Sequence, residues 1–221
     1  MKGERILLVA PHSDDEVYGA GGTLLKWIKE GADVKLLLVC SSDVFLRHVG
    51  PISGDTRRGE FVLASKRLST TPPVLLGYPD QGLENIMISK LVSDLDRVID
   101  EYRPTVYLIP EPSYHQDHQY VHRASIASLR MTGRFIPGTV LEYEIPTSVS
   151  PGSKFFPNLY VDIGSLKEKK SEVFAECYTS QHTRTERGAL SVSGMNRHAA
   201  YRGVEAGLDF AEAFRVVRMV K

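Results

Sequence analysis

Two apolar runs near the N-terminus constrain the fold more than any other feature of the chain. Arg5 to Ala10 (RILLVA) and Val34 to Cys40 (VKLLLVC) are continuous rather than alternating, the pattern of strands buried on both faces. Between them, Val17 to Glu30 carries Leu24, Leu25 and Ile28 at helical spacing, and Gly31 supplies a stop. Strand, helix and strand in that order form a βαβ unit, the start of a parallel sheet. The alternation continues, with helices predicted over Thr56 to Leu68, Ile88 to Tyr102, His118 to Arg130, Leu166 to Tyr178 and Asn196 to Ala206. Strands are predicted over Val74 to Leu76, Thr105 to Ile109, Thr139 to Ile145 and Ala213 to Val220. The expectation is one Rossmann-like α/β domain over residues 1–221, a mainly parallel sheet flanked by helices with right-handed crossovers. Pro146 to Pro157, rich in Pro, Ser and Gly, is a long connection. The part from about residue 146 is expected to elaborate the lid or substrate side.

What lies at the strand ends carries the chemistry. The first strand runs into Pro11-His12-Ser13-Asp14-Asp15-Glu16, and Thr105 to Ile109 runs into a loop ending His115-Gln116-Asp117-His118. Ligands of open parallel sheets bind at the carboxyl ends of strands. A histidine and two adjacent carboxylates are costly to hold together unless a cation neutralises them. Two such loops can converge on one ion, and His and carboxylate ligands suit zinc. Taken alone, Asp-Asp-Glu at a helix start is ordinary capping, and Glu16 is read as structural, in the first turn. The joint occurrence after two buried strands shifts the balance. Gly19, Gly21 and Gly22 do not form GxGxxG and fall inside the helix, so phosphate cradling is disfavoured; no GxSxG occurs.

Bulk properties set the remaining bounds. The 27 Lys and Arg balance the 27 Asp and Glu, so bulk attraction to nucleic acid or an acidic membrane is not indicated. The basic clusters Arg57-Arg58 and Lys167 to Lys170 read as solvated helix faces. Cys40 and Cys177 form no CxxC, the chain enters its first strand at once, and no apolar run approaches a membrane span. A cytoplasmic protein is the expectation.

The two loaded loops resemble the signatures of the PIG-L/LmbE family of N-acetylglucosaminyl deacetylases, PHPDDE and HxDH, which stand here as PHSDDE (residues 11–16) and HQDH (residues 115–118). Weaker matches are Arg57-x-x-Glu60, Tyr78-Pro-Asp80-Gln-Gly-Leu83, Tyr178-Thr-Ser180-Gln181 and Ala211-Glu-Ala-Phe214. The resemblance implies hydrolytic removal of an N-acetyl group from a small substrate such as an N-acetylglucosamine conjugate, by water activated at a Zn2+, with Fe2+ as the alternative ion. It implies His12, Asp15 and His118 as metal ligands and Asp14 as general base. His115 would stabilise the oxyanion and protonate the leaving amine, with Asp117 orienting its ring. Arg57 would bind substrate, and Tyr201 would serve the oxyanion site, with Tyr178 and Tyr114 as competitors. A homo-oligomer is implied too, since relatives often form trimers or hexamers.

The departures fall at the rim. Ser13 replaces a proline, and Cys40-Ser-Ser-Asp43 replaces a Thr-Gly-rich turn, so the acyl carrier stays open. A hydrolase of another amide or ester, and a non-catalytic metal- or sugar-binding module, remain alternatives. His122, one turn after His118, is read as packing or support rather than as a ligand. His48, His182 and His198 are read as surface or loop residues, and Trp27 as core.

Overall fold

The computed structural model describes residues 1–46, 49–131, 134–145, 155–180 and 188–220. In chain order the elements are β1 (Arg5–Ala10), α1 (Asp15–Lys29), β2 (Asp33–Cys40), β3 (Val44–Leu46), β4 (Gly50–Ile52), α2 (Gly54–Leu68) and β5 (Thr71–Tyr78). There follow α3 (Ile88–Tyr102), β6 (Val106–Pro110), α4 (Gln116–Ala127), β7 (Thr139–Tyr143), β8 (Leu159–Asp162), α5 (Lys167–Cys177), α6 (Val192–Ala206) and β9 (Ala211–Met219).

The main sheet has the order β5-β2-β1-β6-β7-β9-β8. Strands β5, β2, β1, β6 and β7 are mutually parallel, while β9 runs antiparallel to β7 and β8. The continuous apolar run of β1 is explained by its central place. Ile6, Leu8 and Ala10 enter the core under α1, α2, α5 and α6, whereas Leu7 and Val9 enter the core under α3 and α4. All five are fully buried. On α3, Leu91, Leu95, Val98 and Ile99 form the buried stripe that its amphipathic pattern predicts.

The glycines of α1 have a packing purpose. A Cβ at Gly19 would overlap the Tyr143 ring and the Glu144 carbonyl, and one at Gly22 would lie 2.8 Å from Ile163. The helix therefore lies close against β7 and β8. A buried ion pair fastens it there. Glu212 of β9 accepts the N–H groups of Gly22 (2.9 Å) and Thr23 (2.7 Å), and Lys170 of α5 reaches Glu212 at 2.7 Å and the Tyr18 carbonyl at 2.7 Å. Lys170 is thus not on a solvated face, and Arg57 is buried as well.

Three differences from the sequence expectation concern short elements. The hairpin β3–β4 and strand β8 were not predicted. Strand β5 is longer than Val74 to Leu76, and extends through Pro72 and Pro73 because it is an edge strand, where a missing N–H costs no ladder bond. Beyond residue 146, β8, β9, α5 and α6 extend and cover the sheet, a body role beyond the expected lid. Residues 146–154 of the Pro146 to Pro157 segment lie outside the described residues. No helix among the described residues is long and apolar enough to cross a membrane.

Candidate metal centre

Strand order reverses at β1, whose neighbours are β2 on one side and β6 on the other. The loops leaving β1 and β6 therefore meet above the sheet, at the switch point where open α/β sheets bind ligands. This pairing brings residues more than a hundred positions apart into contact. His12 Nδ1 lies 3.2 Å from His118 Nε2, and Asp15 Oδ2 lies 3.4 Å from each of those nitrogens. These three atoms form a nearly equilateral triangle. Zinc bonds of about 2.0–2.1 Å in a tetrahedral site place neighbouring ligand atoms about 3.3 Å apart, so the three residues fit such an ion.

Ligand-type atoms of His12, His115 and His118 also lie within 4.8 Å of one another. Asp15 is the better third ligand, because it supplies an anion and closes the triangle evenly. His115 Nδ1 is already engaged, accepting the backbone N–H of Asp117 at 3.2 Å as the N-cap of α4.

The electrostatics favour a cation. Burial opposes a charge on His12, yet hydrogen bonds to Asp117 and Asp15 and the charge of Asp80 outweigh it and raise its pKa to about 10. Asp15 is held well below the usual carboxylate range: His118 and His12 overcome the penalty of burial. Asp14 goes the other way. Burial and the neighbouring Asp15 and Glu16 push its carboxyl well up, with Arg57 only partly offsetting them. Its backbone has φ 120°, a costly conformation for a residue with a side chain. Glu16 braces it: Oε2 accepts the Asp14 N–H at 3.2 Å while Oε1 accepts the Tyr178 hydroxyl. The structural reading of Glu16 agrees with that position, and burial raises its pKa to about 8.

Asp117 departs from its expected place. Its carboxylate does not orient His115; Oδ2 bonds His12 Nε2 at 3.0 Å and accepts the Gln81 N–H at 2.7 Å. The first turn of α4 directs the side chain under the β1 loop, so only the backbone of Asp117 serves His115. A carboxylate behind a ligating histidine fixes the ring and the nitrogen offered to the metal. Burial, then the charges of His12 and His118, hold the pKa of His115 at about 4, so its ring is neutral at neutral pH.

Tyr201 departs as well. It lies on the outer face of α6, 58% exposed, with its ring 5.2 Å from the Arg202 guanidinium, and it does not line the pocket. Tyr178 is buried against Glu16, and Tyr114 is the tyrosine that lines the pocket. Arg57, from the first turn of α2, lines it too and is ion-paired with Asp80. Of the weaker motif matches, Arg57, Asp80 and Gln81 line the pocket, while Glu60 and Ser180 brace it. Glu60 accepts the N–H and hydroxyl of Ser180, each at 2.7 Å, tying α2 to the end of α5. His122 pairs with Glu142 at 2.8 Å and His198 with Glu144 at 2.9 Å; His48 and His182 lie outside the described residues. Trp27 is core.

Ser113 carried no signal in the sequence. Its Oγ lies 2.7 Å from His118 Nδ1 and accepts the His115 N–H at 3.2 Å, so it holds the His118 ring and the start of α4 together. Ser113→Ala is expected to weaken metal affinity by about 10- to 100-fold, the usual effect of losing a partner behind a ligand. Competition against a chelating dye measures this, and wild-type affinity in the variant would refute it.

The molecule is thus a doubly wound α/β protein with a candidate His/Asp metal-binding constellation at its switch point. It belongs to the PIG-L family, whose model, described as GlcNAc-PI de-N-acetylase, matches residues 7–129, more than half the chain. A 1D-myo-inositol 2-acetamido-2-deoxy-alpha-D-glucopyranoside deacetylase of Mycobacteroides abscessus is 29% identical over 162 residues, 58% of this chain and 56% of that one. The diacetylchitobiose deacetylase of Thermococcus kodakarensis is 25% identical over 229 residues, covering 97% of this chain and 83% of that one. The chain spans about half the length of the first curated relatives it matches, 56% and 47% for two inositol-linked deacetylases. The solved N,N'-diacetylchitobiose deacetylase of Pyrococcus horikoshii shares the fold, with a TM-score of 0.80 at 21% identity over 97% of this chain and 84% of that one.

Proposed function

We propose that the chain is a metal-dependent hydrolase that removes the acetyl group from a small N-acetylated amino-sugar conjugate. The observation that carries this reading is the triangle of His12, Asp15 and His118 beside the Asp14 carboxylate on one pocket. A divalent ion held there, Zn2+ first and Fe2+ next, would acidify water and polarise the amide carbonyl. Asp14 takes the proton of the attacking water. It can then pass that proton to the leaving nitrogen, as a positioned acid–base group.

His115 has the complementary task. With Nδ1 accepting from Asp117, the proton of the neutral ring sits on Nε2, which becomes a hydrogen-bond donor to the oxygen that gains charge. Arg57 and Asp80, side by side on the pocket wall, offer a donor and an acceptor to sugar hydroxyls. The two thiols, Cys40 and Cys177, are free and buried, which fits a reducing compartment such as the cytoplasm.

Acetate release from N-acetylglucosamine, its inositol conjugate and diacetylchitobiose tests the reading. Release is expected with zinc, is lost after chelation and returns with metal. Bound zinc without release from any amide would favour a binding module instead.

A further inference from the structure

The catalytic pocket has a volume of about 440 Å³, more than a single sugar ring fills and within the usual range for ligand sites. Its chemistry is divided. Besides the metal trio, Asp14, Arg57, Asp80 and His115, its lining includes Leu46, Tyr114 and Leu190, from three separate parts of the fold. Leu46 and Tyr114 belong to neither hydrophobic core, while Leu190 packs against the edge of one and lines the pocket as well. Large apolar side chains without a core to fill, turned into a catalytic pocket, are the mark of a surface meant for a ligand.

The position of Leu46 is fixed by the base of its hairpin. Asp43, before β3, accepts the Gly54 N–H at 2.7 Å, and Arg58 bonds the Ser41 carbonyl at 2.6 Å. Gly54 lies so close to the Ser41 carbonyl that no Cβ fits. The hairpin is thereby clamped to α2, the helix that carries Arg57. Along β3, Val44 and Leu46 share one face and Phe45, 70% exposed, takes the other.

We propose that Leu46, Leu190 and Tyr114 form an apolar subsite that takes an uncharged aryl or alkyl group carried by the amino sugar. The proposal rests on the deacetylase reading for its substrate but not for its binding surface. Arg57 is ion-paired with Asp80, and Asp14 lines the same wall, so an anionic group meets two carboxylates for one guanidinium there.

The experiment compares methyl, phenyl and octyl N-acetylglucosaminides and an N-acetylglucosaminyl malate on the zinc-loaded protein. The phenyl and octyl glycosides are expected to exceed the methyl glycoside in kcat/KM by about 10-fold or more, the scale of apolar pocket discrimination. In Leu46→Ser and Leu190→Ser that ratio falls toward unity through KM, with thermal melts reporting that each variant is folded. Calorimetry on zinc-loaded Asp14→Asn measures the same preference as binding. A ratio near one, a ratio unchanged in both variants, or a preference for the malate conjugate overturns the subsite. If no glycoside releases acetate, the deacetylase reading fails, and the calorimetric preference still decides the subsite.

Discussion

Asp14→Asn is expected to keep its metal and to lose about 100- to 10,000-fold in turnover, the usual worth of a positioned acid–base group. Asparagine preserves the size of the side chain, so the φ 120° turn and the Glu16 bond to the backbone N–H have no reason to change. The triangle of ligand atoms does not include Asp14. What disappears is the group that can hold a proton. His12→Ala is the contrasting variant, since it deletes one corner of the triangle and leaves the Asp117 carboxylate without its ring. It should lose metal and activity together. Elemental analysis alongside acetate release separates the two, and full activity in Asp14→Asn would remove this residue from the mechanism.

The second large effect lies away from the pocket. Lys170→Met should destabilise the fold by about 3–5 kcal/mol, because it leaves the buried Glu212 carboxylate without a counter-charge, held only by the N–H groups of Gly22 and Thr23. Lys170 is 2% exposed and Glu212 4%, so solvent cannot take over the charge. The Tyr18 carbonyl loses its partner in the same step. For a chain of this length the melting temperature should fall by about 6–20 °C. The double variant Lys170→Met/Glu212→Gln is expected to recover part of the loss, since no unpaired charge remains. A melting temperature unchanged in Lys170→Met would mean that the pair contributes nothing.

Much of the architecture was legible because central parallel strands must be apolar throughout, as β1 and β2 are, and because α3 carries its stripe openly. The hairpin was not legible. Its strands have three residues each, too few for any period, and one contains Gly50 and Pro51. In α2 the buried Arg57 and Glu60 interrupt the apolar pattern, since this helix turns polar groups inward toward the site. Two motifs and the family resemblance put His12, Asp15 and His118 forward as candidate ligands, and their ligand-type atoms do lie together. The partner of Asp117 was not legible, because adjacency in sequence suggested His115, whereas the first turn of α4 points the carboxylate at His12. Tyr201 failed on helical phase: Ala199 and Arg202 occupy the buried side of α6, and Tyr201 falls opposite. Ser113 bears no mark in a loop of Pro, Glu and Ser.

The neighbourhood of β1 and β6 has a thermodynamic meaning as well as a chemical one. Two of the three proposed ligands, His12 and Asp15, follow β1 and the third, His118, follows β6, so the site would be complete only once that long-range pairing has formed. An unfolded chain offers the same side chains scattered along its length. Metal binding at the proposed site would therefore be linked to folding: at a free ion concentration a hundred times its dissociation constant, the native state would gain about 2.7 kcal/mol. The ion that serves catalysis would also act as a clasp between the two halves of the sheet, and its loss would loosen the fold from the switch point outward.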